Sequence, residues 1–174
     1  MNPNKRLRAI QKSMNAYRST LNKMSESLFS KTPPSGGWSY SEVYSHIFDS
    51  NLLSLMAIRN CIKGEGKDKI TPFTARVILF FGRFPPGKYK VPKRLAERVK
   101  KIPIPEAVQL IADMETQLSH IESTIRQASA RQKIAHPRLG YLNAMQWLRF
   151  IDIHMRHHLK QLKRIEKDHQ KLKA

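Results

Sequence analysis

Two imidazoles one helical turn apart, His154 and His158, fall on the same stripe as Trp147, Ile151, Leu162 and Ile165. At i, i+4 the two rings project from one face of a helix. A polar ring at a core position costs free energy unless something satisfies it. His46 occupies an inward position on a second predicted helix, so His46, His154 and His158 form a candidate three-histidine metal site. Neutral imidazole suits zinc, nickel, copper or iron. Three protein ligands leave one position for water or substrate, the pattern of a catalytic rather than a structural zinc. A metal held this way lowers the pKa of bound water or thiol and polarises an electrophile. The plainer reading of each histidine alone is a hydrogen-bonded core residue.

The other histidines are weaker candidates. His157 points about 100° from His158 around the helix and reads as a supporting or surface residue. His120 and His169 sit off their stripes and are expected in solvent. His136 precedes Pro137 in a loop and is expected to serve a turn. Three residues are candidates for acid–base or positioning work. Glu42 lies one turn before His46, although a capping role competes. Asp49 lies one turn after His46 and is expected to orient it as a supporting carboxylate. Gln161, one turn beyond His157, is placed to hydrogen-bond a ligand histidine or to close the helix end. Asp152 falls on another face. Cys61 is a poor nucleophile candidate, because only Lys63 nearby would depress its pKa.

Four long segments carry the helical periodicity needed to position these groups. The first reads Leu7, Ile10, Met14, Tyr17, Leu21, Met24, Leu28 and stops before Thr32-Pro33-Pro34-Ser35-Gly36-Gly37. The second begins at Ser39, with Glu42 completing a capping box and Trp38 and Val43 forming a hydrophobic staple. Its stripe is Val43, His46 or Ile47, Ser50, Leu53 and Ala57, and it fades near Lys63-Gly64-Glu65-Gly66. A long connection over about residues 64–104 follows, with one short buried helix at Phe73–Gly82 and no expected sheet partner. The third helix starts near Pro105, with the stripe Val108, Ile111, Met114, Leu118, Ile121, Ile125. The fourth starts at Asn143, with Gln146 as capping-box partner and Leu142 facing Trp147 as staple. Together these describe an all-α four-helix bundle with a long crossover between its second and third helices. Bundles build metal sites in the core from facing helices.

The chain has 174 residues, which suits a single domain over 1–174 with its own core. It carries 32 Lys+Arg against 13 Asp+Glu, a formal net charge of +19. The first acidic residue, Glu26, follows six basic ones. A second basic block runs from Arg83 to Lys101 and a third from Lys160 to Lys173. This balance raises nucleic acid or another anionic surface as a partner, but no recognised nucleic-acid motif accompanies it, and aromatic residues do not interleave the basic runs. No apolar run approaches the roughly 20 residues needed to span a bilayer. No secretory leader is legible, and the single cysteine excludes an internal disulfide. A cytoplasmic protein is the expectation.

The stretch Gly37-Trp38-Ser39-Tyr40-Ser41-Glu42-Val43-Tyr44-Ser45-His46 resembles the W-S-x-x-E-x-x-x-H start of the second helix in the DinB/YfiT-like superfamily. His136-Pro137-x-x-Gly140, then Trp147, then His154-x-x-His157-His158-x-x-Gln161 resembles the closing segment of the same family. The resemblance spans nearly the whole chain. It implies a four-helix bundle, often a homodimer, with His46, His154 and His158 as metal ligands. It further implies a metal-dependent enzyme acting on a small molecule, either a hydrolase or a transferase using a low-molecular-weight thiol. The basic crossover would favour an anionic substrate or thiol. Two alternatives stand beside this. One is a basic nucleic-acid or anionic-surface binding bundle without catalysis. The other is a bundle that keeps its histidines without turnover.

Overall fold

The computed structural model describes residues 2–87 and 97–171. Asn2 caps α1 (Pro3–Leu21) by accepting from the Asn4 N–H, with Pro3 pre-set at the first helical position. The periodicity through Met24 and Leu28 does not continue α1. The chain breaks after Leu21, and Ser25 caps a separate short helix, α2 (Glu26–Ser30), by accepting from the Leu28 N–H. Ser25 competes for a backbone donor, so one apolar stripe is carried on two helices.

α3 (Tyr40–Ile62) starts with the expected capping box. Ser39 accepts from the Glu42 N–H, while Glu42 accepts from the Ser39 N–H at 2.9 Å. In the crossover, α4 (Phe73–Phe81) ends at Gly82 with φ of 66°. α4 is not the buried helix expected. Ala75 and Leu79, one turn apart, face the protein, while Phe73, Phe80 and Phe81 are exposed. A nearly all-apolar helix has only one face to bury against a bundle, so its other faces remain in solvent.

α5 (Ile104–Glu122) carries the third stripe, through Ala107, Ile111, Met114, Leu118 and Ile121. Val108 lies off it, 47% exposed. Leu53 is likewise exposed on α3, whose inner face runs through Tyr44, Ile47, Phe48, Asn51, Leu55 and Ile58. An element absent from the all-helical expectation follows α5. β1 (Lys133–His136) pairs antiparallel with β2 (Gly140–Asn143), and His136 faces Gly140 across the turn. His136 Nδ1 accepts from the Arg138 and Leu139 N–H groups, each at 3.1 Å, and so holds that turn. Asn143 then caps α6 (Ala144–Gln170) in a capping box with Gln146.

The four long helices form a mostly helical four-helix bundle. α1 and α3 each pack on both α5 and α6. Across the centre, the Tyr17 ring meets Tyr44 and Phe48 edge-on, with centroids 5.3 Å apart in both cases. Tyr17 donates to the Met155 carbonyl and Tyr44 to the Tyr17 carbonyl, so neither buried hydroxyl is orphaned. These bonds tie α1, α3 and α6 together around the helix pair that carries the histidines. No helix among the described residues is long and apolar enough to cross a membrane.

Candidate metal centre

The α3–α6 interface brings His46 to His154 and His158. Their ring centroids lie 4.7–5.2 Å apart, and one nitrogen from each lies within 4.8 Å of the others. All three residues are buried, with 7–8% of their surface exposed. His154 and His158 approach through their Nε2 atoms, 3.1 Å apart.

Burial sets the protonation of this cluster. It is the main cause that lowers His46 to about 4 and His158 to about 3. Burial also drives His154 well below its ordinary value, with His158 as the next cause. All three rings are therefore neutral near pH 7, the form that binds metals.

A side-chain amide oxygen faces the outer nitrogen of His154 and of His158. His158 Nδ1 lies 2.7 Å from the Gln161 Oε1, and His154 Nδ1 lies 3.3 Å from the Asn51 Oδ1. With Nδ1 donating to these oxygens, each Nε2 is left to present a lone pair toward the other ring. Two ring nitrogens 3.1 Å apart repel unless a proton or a metal cation lies between them. Ligand nitrogens about 2.0–2.1 Å from a tetrahedral ion are themselves about 3.3 Å apart. The donor set and the spacing of its His154–His158 pair fit a divalent metal, and the His46 nitrogen lies within 4.8 Å of both. Hydrogen bonds from the outer ring nitrogen to carbonyl-type acceptors are the usual support of metal-bound histidine.

Other sequence candidates fall elsewhere. Asp49 acts on His46 through its charge, with no hydrogen bond between them among the described residues. Its carboxylate receives Arg98 Nε at 2.7 Å and Arg98 Nη2 at 2.5 Å, while His46 Nδ1 lies 3.5 Å from the Ser50 hydroxyl. Glu42 is committed to its cap. Gln161 does meet a candidate ligand, His158. Asn51, which the periodic reading passed over, performs the same service for His154. Its signal was an amide inside the apolar stripe of α3. Trp38 lies against the His46 ring, with centroids 5.0 Å apart. His154 stacks on Phe150 at 5.1 Å and 24°.

His157 is half-buried beside the cluster, its ring 5.1 Å from His158 and 5.3 Å from Phe84. His120 is exposed as expected, but His169 is buried and stacks on Tyr40. Cys61 is buried, and burial pushes its thiol up to about 11, so it is no nucleophile at neutral pH. Of the basic crossover, Arg98 pairs with Asp49 and Lys100 with Glu106. Lys88, Lys90, Lys93 and Arg94 lie outside the described residues.

A family profile described as the DinB superfamily matches residues 9–162. The chain belongs to the DinB superfamily. This DinB bundle is also similar in fold to two solved structures. TT2238, described as a four-helix bundle protein, superposes with a TM-score of 0.60 at 18% identity, covering 93% of this chain and 98% of that one. YfiT from Bacillus subtilis, described as a probable metal-dependent hydrolase with an unusual four-helix bundle topology, superposes with a TM-score of 0.64 at 14% identity. That match covers 95% of this chain and 86% of YfiT. No curated protein sequence matches the chain. At these identities the two structures establish the fold of this DinB-superfamily member, and its chemistry rests on its own residues.

Proposed function

We propose that the chain is a metal-dependent enzyme acting on a small molecule, with His46, His154 and His158 holding one divalent ion, zinc or nickel. The observation that carries this reading is the pair of inward Nε2 atoms, whose outer nitrogens are both engaged by amide oxygens. When bound, such an ion supplies Lewis acidity and lowers the pKa of a water or thiol. The chain's own part is to hold three rings neutral by burial, to aim His154 through Asn51 and His158 through Gln161, and to wall the site with Trp38, Phe84 and Phe150. Hydrolysis is preferred over thiol transfer, supported by the likeness to YfiT. Glu42 and Asp49 are both committed to other partners, so neither serves as general base in this reading.

The test is elemental analysis of protein purified without a histidine tag, followed by turnover of small ester and amide substrates with and without chelator. The wild type should carry one divalent ion per chain, and His154→Ala should carry none while retaining its helical circular dichroism. Turnover should disappear with chelator and return with metal. Equal metal content in wild type and variant would overturn the assignment of the ligands. Turnover only with an added low-molecular-weight thiol would move the reaction to transfer.

A further inference from the structure

The face of α6 that turns away from the histidines carries a second constellation. Asp152, 1% exposed, receives Arg6 Nη1 at 3.2 Å, Arg149 Nη1 at 2.8 Å and Arg156 Nε at 2.9 Å. One carboxylate thus faces three guanidinium groups. Beside them opens a cleft of about 380 Å³ lined by Arg6, Arg76, Leu79, Phe80, Gln146 and Arg149.

The polar groups of this cleft are donors. Arg76 is exposed and has no ion-pair partner among the described residues. The Nε–H of Arg6 is buried and has no hydrogen-bond partner among the described residues. Gln146 has its oxygen occupied by the Thr71 hydroxyl and the Asn143 N–H, which leaves its NH2 group to offer. Arg149 is 9% exposed, with Nε given to the Leu79 carbonyl and its Nη2 packed where a side chain at Gly82 would collide. Its guanidinium is held below its ordinary value by burial first and then by the charge of Arg6. No carboxylate lines the cleft among the described residues, and Asp152 is already shared three ways. Gln146 also lies in the first turn of α6, where the helix dipole favours negative charge.

We infer that this cleft is a binding site for a small molecule bearing a phosphate group, separate from the histidine centre, with an apolar part of the ligand lying on Leu79 and Phe80. Guanidinium forks match phosphate oxygens in geometry and charge. A doubly charged phosphate offsets the excess of arginine that Asp152 leaves. The site is built by three segments at once, the first turns of α1, α4 and the start of α6, so it exists only in the folded protein.

The experiment is calorimetric titration of the full chain with inorganic phosphate and with phenyl phosphate at constant ionic strength, in the presence and absence of chelator. Both anions should bind saturably, phenyl phosphate more tightly, and chelator should change neither. Arg76→Gln, an exposed position outside the Asp152 cluster, should weaken both by about tenfold or more. Lys12→Gln removes the same charge from another exposed position and should change them by less than about twofold. Phe80→Ser should remove the advantage of phenyl phosphate alone. The inference is overturned if no saturable binding occurs. It is equally overturned if chelator abolishes binding, which would assign the anion to the metal, or if Arg76→Gln and Lys12→Gln act alike, which would assign it to diffuse surface charge.

Discussion

Two faces of α6 solve opposite electrostatic problems. On one, His154 and His158 meet His46, and burial strips the rings of charge until their lone pairs crowd one another. On the other, Arg6, Arg149 and Arg156 keep their charge and share one buried carboxylate, Asp152. The difference follows from intrinsic pKa. Imidazole releases its proton under modest desolvation, whereas guanidinium does not and must find an anion. The histidine face therefore asks for a cation and the arginine face for negative charge.

The largest effect should come from breaking the arginine face at its centre. Asp152→Ala leaves Arg149 buried without its carboxylate and should cost about 3–5 kcal/mol of unfolding free energy. Urea denaturation reads this, and a loss below about 1 kcal/mol would mean the arginines simply turn to solvent. On the histidine face, Asn51→Ala and Gln161→Ala should each weaken metal affinity by about 10- to 100-fold with little change in fold. Competition against a chromophoric chelator measures it, and unchanged affinity in both would show that the amides do not aim the rings.

Acid should separate the two faces. The folded-state values of His46 and His158, about 4 and about 3, lie below the ordinary 6.5. The unfolded chain therefore binds more protons than the folded one between these limits. The stabilisation is complete above about 6.5 and lost as pH falls toward 4 and 3, by up to about 1.4 kcal/mol per pH unit for each ring. His136, lowered to about 4 by burial, adds to the same slope. Urea midpoints of the metal-free protein between pH 7 and 4.5 test this, and replacing His46 by Gln should flatten the slope. The smallest effect belongs to Asp49→Asn. Its partner Arg98 is 52% exposed, so the change should cost less than about 1 kcal/mol and leave metal affinity untouched. A drop in metal affinity would return Asp49 to the histidine site.

Local chemistry explains what was readable. Both capping boxes, Ser39 with Glu42 and Asn143 with Gln146, join residues three apart, and the structure contains both. The break at Asn22–Ser25 was hidden because the apolar spacing of Met24 and Leu28 suits either one helix or two. The hairpin was hidden because four-residue strands carry too little alternation to compete with the helical pattern around them. His169 was misjudged for another reason, since Tyr40, whose ring it stacks on, lies at the far end of another helix.

The sequence by itself determined the long helices, two of their capping boxes, the strong positive charge and the one-turn spacing of His154 and His158, because each depends on composition or on residues a few positions apart. Only the tertiary structure decided that the ring of His46, already the third candidate, lies against His154 and His158, that Asn51 reaches His154 across 103 residues, and that Arg6 shares Asp152 with Arg149 and Arg156. Those contacts depend on which faces of α1, α3 and α6 pack together, and periodicity tells which residues turn inward without telling whom they meet.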